Sequence, residues 1–188
     1  PAGSNRQMDL SQAKVLFDAE QMAGQLETMA RAIAGGEDQA GDLCLVGIRT
    51  GGAHLAQRLG ALVGRLLGAQ PDTGIMDITL YRDDWTRQHR RPKVGTTNIA
   101  FDIEDRRVVL VDDVLYTGRT VRAALDELMD FGRARRVELA VLIDRGGREL
   151  PIQPDFVGAS LKGGEGQVIE VLLTEEGYPS DRVVSLPR

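Results

Sequence analysis

Apolar residues recur at helical spacing from Leu10 to Ala34, through Val15, Ala19, Met22, Ala23, Leu26, Met29, Ala30 and Ile33, before Gly35-Gly36. This pattern predicts one amphipathic helix closed by glycine. The period then changes. Leu43–Ile48 is a short, almost continuously apolar run, which predicts a buried parallel strand. It stops at Arg49-Thr50-Gly51-Gly52, and Leu55, Leu59, Leu62, Val63 and Leu66 then form the stripe of a second helix. Ile75–Tyr81 predicts a strand that leads into a polar, basic stretch from Arg82 to Gly95. Thr97–Phe101 reads as extended. Arg107–Val111 is the clearest strand, breaking at Asp112-Asp113, and Val121, Ala124, Leu125, Leu128 and Met129 predict a helix after it. Val137–Ile143, Asp155–Val157, Val168–Leu173 and Val183–Leu186 complete the strands. Strands alternating with helices imply an α/β fold with a mostly parallel, twisted sheet flanked by helices. No internal repeat or linker divides the chain, so residues 1–188 read as a single domain.

Charge and cysteine usage narrow the function. The net charge of -5 argues against a protein living mainly on nucleic acid, whose affinity comes largely from neutralised phosphates. It leaves room for a local basic face. The one cysteine, Cys44, lies in an apolar strand, so no disulfide forms within the chain and a cytoplasmic location is expected. No apolar stretch approaches membrane-spanning length.

The chemistry concentrates in Val108-Val-Leu-Val-Asp-Asp-Val-Leu-Tyr-Thr-Gly-Arg-Thr120. An apolar strand delivers Asp112 and Asp113 to its carboxyl end, where ligands of open α/β sheets bind. The turn that follows opens a helix, whose free N–H groups and positive dipole end attract an anion. Thr117 and Thr120 add hydroxyl donors, Arg119 adds charge, and Gly118 lets the backbone approach closely. Two carboxylates beside an anion cradle make sense if they meet sugar hydroxyls, or a Mg2+ shared with the ligand. Such acids can also merely cap a turn, but the combination with a Thr-Gly-Arg-Thr helix start is far more specific.

This segment resembles the 5-phosphoribosyl-1-pyrophosphate (PRPP) motif of type I phosphoribosyltransferases. More narrowly, the chain resembles the PyrR family of bifunctional pyrimidine operon regulators and uracil phosphoribosyltransferases. The narrower likeness rests on Asp77-Ile-Thr-Leu-Tyr-Arg-Asp-Asp84, Gly118-Arg-Thr-Val-Arg-Ala-Ala124, Asp144-Arg-Gly-Gly-Arg-Glu-Leu-Pro-Ile152 and Asp155-Phe-Val-Gly158. It implies a type I phosphoribosyltransferase fold with a small base-binding hood, and a homodimer or higher homo-oligomer. The implied reaction is PRPP plus uracil to UMP and pyrophosphate, with Mg2+. Asp112 and Asp113 would face the ribose hydroxyls and touch Mg2+ indirectly, through ligand or water. Val114, Leu115, Tyr116, Thr117, Gly118, Arg119 and Thr120 would hold the 5-phosphate, and Arg49, Thr50 and Gly51 the pyrophosphate. A mobile lid, about 82–95, would bring Arg82 and Asp83 to act with Asp113 at the reacting centre, excluding water. Arg145, Phe156 and Val157 would recognise the base. Neither histidine, His54 or His89, stands out as a dedicated base.

The chain departs from the family at several positions. The pyrophosphate loop usually reads Thr-Arg-Gly, and here it is Thr50-Gly51-Gly52; an arginine restored at 51 is expected to tighten binding. The family's second activity, binding an RNA stem-loop, draws on the first helix and on the segment around Asp144–Ser160. There a histidine, an arginine and a lysine of the family are replaced by Gly147, Gln153 and Ala159, and Glu27 joins the same face. Lost cations weaken phosphate contacts, so weak RNA binding is expected. The alternative to the enzyme is a UMP-sensing RNA-binding attenuation regulator with residual transferase activity. A non-catalytic PRPP sensor and a purine phosphoribosyltransferase are the further readings.

Overall fold

A computed structural model describes residues 10–36, 39–78, 97–162 and 166–187. Deep in its core lies β2 (Leu43–Ile48), buried at all six positions. β2 lies between β3 (Asp72–Met76) and β4 (Arg107–Leu115), with β5 (Arg136–Asp144) and β6 (Phe156–Ser160) beyond β4. This five-stranded sheet has the order β3-β2-β4-β5-β6 and is parallel throughout. Helices α1 (Ala19–Ala34) and α2 (Gly51–Leu67) cover one face, where Val109, Val111 and Leu142 are buried; α3 (Arg119–Leu128) covers the other, over Val108, Leu110 and Val141. A second sheet, β1 (Lys14–Phe17), β8 (Arg182–Pro187) and β7 (Gln167–Leu172), is antiparallel and packs Ile169, Val171 and Val183 onto the α1–α2 side of the core. The last two predicted strands therefore form a separate hood and do not extend the main sheet.

Several predicted boundaries move, and the strand predicted over Ile75–Tyr81 is β3, which runs Asp72–Met76. The single helix expected from Leu10 divides into β1 and α1. Asp18 makes a reciprocal capping box with Gln21, each side chain accepting the other's backbone N–H, and this fixes the helix start. Val15, one turn before Ala19, fits a helical stripe by spacing alone, yet it is 47% exposed on the edge of β1. β4 does not break at Asp112 but runs to Leu115, because β5 supplies partners as far as Asp144. Met129 leaves the apolar stripe of α3 and is 60% exposed in a short 3-10 turn.

The end of β4 decides where a ligand can sit. β2 leaves its ladder with β4 at Gly47, opposite Val111. Beyond that point β4 is paired only with β5, and its open edge meets the start of α2. At the opposite end of the sheet, buried Arg107 pairs with Glu138 at 2.5 Å and donates to the carbonyl of Ile33 at 2.9 Å. A cation there completes the last turn of α1. The hood is fastened separately. Arg58 of α2 donates to Glu175 at 2.7 Å and to Asp181 at 2.5 Å, and these bonds hold both carboxyls below their ordinary range. Depressed carboxylate pKa values stabilise the fold above the unfolded range, so this fastening weakens as pH falls through it. Among the described residues no helix is long and apolar enough to cross a membrane.

Candidate functional site

Side chains alternate across a strand, so the two adjacent acids leave β4 on opposite faces. Asp112 is level with Val141 and, through it, with Val157, on the α3 side; only 6% of it is exposed. Asp113 turns towards the start of α2. Its Oδ1 accepts from the Val114 N–H at 2.7 Å, while Asp112 Oδ1 accepts from the Asp113 N–H at 3.0 Å. Burial pushes the Asp113 carboxyl above its ordinary pKa. Burial and the charge of Asp113 do the same to Glu170 and Glu176 on the hood.

Glycine makes this closeness possible. A Cβ at Gly51 would strike the Asp113 carboxylate, one at Gly52 would strike the Val111 carbonyl and lie 3.0 Å from Asp112 Cα, and one at Gly47 would strike the Gly52 carbonyl. The start of α2 can therefore press against the end of β4 only while these positions lack side chains. Thr50 gives α2 no side-chain cap, and the first-turn N–H groups of a helix have no partner within it. Arg49 donates its N–H to Met76 O at 2.8 Å, and its Nε lies 3.7 Å from the buried carboxylate of Asp77. The Arg49–Thr50 peptide is cis.

The turn at 115–118 forms the other side. Gly118 takes φ 92° as it enters α3. Leu115 O accepts from the Arg145 N–H at 3.0 Å, Tyr116 O from Arg148 at 3.2 Å, and Thr117 O from the N–H groups of Glu149 and Leu150 at 3.0 and 3.2 Å. The carbonyls of the turn are thus engaged by 145–150, and the Thr117 hydroxyl accepts the Arg119 N–H at 3.3 Å. Arg119, expected on the phosphate, pairs with Glu149 at 2.9 Å and so belongs to this tie. Arg145, expected on the base, stacks 3.9 Å from the centre of the Tyr116 ring and donates to Gln167 O at 2.6 Å. Gly147 takes φ 86°, and a Cβ there would strike the Tyr116 ring.

The structure thus brings together Arg49, Thr50, Gly51, Asp112, Asp113 and the turn from Val114 to Thr120, with Arg145 behind the turn. Phe156 is not brought to them. It is level with Ala140, on the α1–α2 face, and its ring packs 5.9 Å from the Arg107 guanidinium. A base contact by that ring is not supported, because Arg107 and the end of α1 hold it at the amino end of the sheet. Val157 is level with Asp112 and packs against the core on the α3 side. Arg82, Asp83, the rest of the predicted lid and His89 lie outside the described residues. Sequence reading missed Asp77, Thr97 and Glu127, which are linked by hydrogen bonds. The signal that could have found them was the acid directly after the β3 run, which was absorbed into the family motif.

A parallel sheet whose central strand carries two acids near its carboxyl end, between two glycine-entered helix starts, fits a phosphoribosyltransferase domain, and the phosphoribosyl transferase domain model matches residues 12–171. Within that class the chain belongs to the PyrR family. It is 51% identical over 92% of its length to the Bifunctional protein PyrR of Syntrophobacter fumaroxidans, covering 92% of that protein. It is 45% identical over 96% of its length to that of Desulfosudis oleivorans, covering all of it. The hypoxanthine phosphoribosyltransferase of Trypanosoma cruzi shares the fold, with a TM-score of 0.66 at 21% identity over 93% of this chain and 97% of that one.

Proposed function

We propose that this chain transfers the 5-phosphoribosyl group of PRPP to N1 of uracil, giving UMP and pyrophosphate. The observation that carries the reading is the pair of helix starts, α2 and α3, neither capped by its own N-cap side chain, flanking the carboxylates near the end of β4. The start of α3 and its turn suit the 5-phosphate, that of α2 the diphosphate, and the acids the ribose hydroxyls between them. In the transfer the C1–O bond to the diphosphate breaks, C1 bonds to uracil N1, and N1 releases its proton. Negative charge grows on the leaving diphosphate, where the N–H groups of Gly51 and Gly52 stabilise it, while the Arg49 guanidinium holds the diphosphate equally before and during bond breaking. Asp112 and Asp113 carry the opposite charge to the cationic ribose that forms.

Among the described residues no group of three or more His, Cys, Asp or Glu could hold a metal, so those residues build no cage for one. The hard oxygens of Asp112 and Asp113 fit a Mg2+ that arrives on the diphosphate, directly or through water. Bound there, it would supply further charge stabilisation to the leaving group. The reading carries with it UMP as product and a cytoplasmic homo-oligomer. Purified protein with PRPP, Mg2+ and labelled bases should make nucleotide from uracil and little from hypoxanthine or orotate. Well-folded protein that turns over hypoxanthine as fast as uracil would refute the base assignment.

The geometry also reverses the expectation for position 51. An arginine there must begin in the space of the Asp113 carboxylate, so its added charge comes with displacement of an acid the site uses. Gly51→Arg should weaken PRPP binding by about tenfold, the loss of one charge-assisted hydrogen bond. Calorimetry with PRPP and Mg2+ tests this, and tighter binding would show that Asp113 can move aside at little cost.

A further inference from the structure

A line of four residues, linked at Asp77 through its backbone N–H, joins α3 to the pyrophosphate loop. Glu127 on α3 is only 6% exposed, and its Oε1 accepts a 2.6 Å hydrogen bond from the Thr97 hydroxyl. Thr97 Oγ1 in turn accepts the backbone N–H of Asp77 at 3.0 Å. The Asp77 side chain is 5% exposed, and its Oδ2 lies 3.7 Å from Nε of Arg49, whose own side chain is 40% exposed. A bridge between Ile75 and Asn98 brings residues 77 and 97 together.

Buried acids are costly unless something compensates. Here the compensation is incomplete. Glu127 Oε2 is buried with no hydrogen-bond partner, and burial together with the charges of Asp77 and Asp130 raises the Glu127 pKa. A well-packed apolar residue at 127 would serve α3 better. A polar line that costs stability and ends on an accessible guanidinium in the pyrophosphate loop has a use at that guanidinium. With Gly at 51, Arg49 is the one cation in the Arg49–Gly52 loop.

Resting on the function proposed above, we propose that Thr97, Asp77 and Glu127 are positioning residues for Arg49, fixing its head where the diphosphate of PRPP leaves. The Thr97 hydroxyl is the joint. It accepts from Asp77 and donates to Glu127, and only a hydroxyl does both in that space. Arg49 meets the diphosphate in the bound state and in the transition state alike, so its loss of aim weakens binding without slowing the bound complex.

The test compares Thr97→Val, Thr97→Ser and wild type in the full chain, with Mg2+ present throughout. Thr97→Val should raise KM for PRPP and the calorimetric Kd of pyrophosphate by the same factor, about tenfold. Its kcat and KM for uracil should stay within about twofold, and Thr97→Ser should restore wild-type values. A merely structural threonine would instead lower kcat, uracil affinity and melting temperature together, and serine would not rescue selectively. Unchanged pyrophosphate affinity in folded Thr97→Val, or equal losses in the valine and serine variants, overturns the proposal alone. Wild-type protein that binds neither PRPP nor pyrophosphate overturns it together with the function on which it rests.

Discussion

Asparagine at both Asp112 and Asp113 should lower uracil turnover at least about a thousandfold and leave the melting temperature within about 5 °C of wild type. The two effects separate because the acids sit beyond the point where β2 leaves β4, outside the apolar ladder. An amide oxygen can still accept the Val114 N–H that Asp113 Oδ1 accepts now. The sign of the stability change at 113 follows from linkage. Burial raises the folded-state pKa of Asp113, so its ionised form costs stability above the ordinary carboxylate range, and a neutral amide removes that cost. The lost turnover therefore reports lost ligand contact. Because the two side chains leave the strand on opposite faces, each single variant should be impaired as well. Calorimetry that gave the double variant wild-type PRPP affinity would remove both carboxylates from the site.

RNA binding is the second large effect expected. A pyrimidine-leader stem-loop should bind about a hundredfold more weakly than to a face carrying the three missing cations, at about 1 kcal/mol for each lost contact. The structure adds a reason. Arg31, a surviving cation on α1, is 70% exposed but lies 3.9 Å from Glu27, which offsets its charge. UMP should not rescue binding, since the deficit lies in the surface. Glu27→Thr with Gln153→Arg should tighten binding and steepen its salt dependence, because the first change releases Arg31 and the second adds a cation. Of the other two family residues, Ala159→Lys is left out because Ala159 packs against the core, and Gly147→His because of the backbone and space at 147. The backbone there has φ 86°, and the Tyr116 ring fills the space a side chain would enter. A filter-binding series across salt concentrations decides the matter, and nanomolar, sequence-selective binding by the unmodified protein would show that another face holds the RNA.

How far the sequence revealed this molecule depended on the range of the forces involved. β2 was legible to its last residue, because a six-residue apolar run has few other uses. The acids and the phosphate turn were equally plain, being contiguous and chemically unusual. The end of β4 was not, since its last residues are held by β5, a partner found across the chain. β1 was absorbed into the first helix because Val15 and Ala19 share a helical phase, although Asp18 and Gln21 carried a readable capping box. Charges are legible in sequence by type but not by partner. Arg119 suggested a phosphate ligand and pairs with Glu149; Arg145 suggested a base ligand and stacks on Tyr116. Phe156 followed the family motif, while its packing against Arg107 depends on where β4 begins. The Glu127–Thr97–Asp77–Arg49 line joins four separated segments, so no local pattern could disclose it.

A crystal structure of the protein with UMP is the most direct test of the site as a whole. The account predicts the 5-phosphate against the N–H groups of the turn at 115–118 and the start of α3, with the ribose hydroxyls at Asp112 and Asp113 and the uracil near Val157. UMP bound elsewhere, with those acids and that turn untouched, would contradict it.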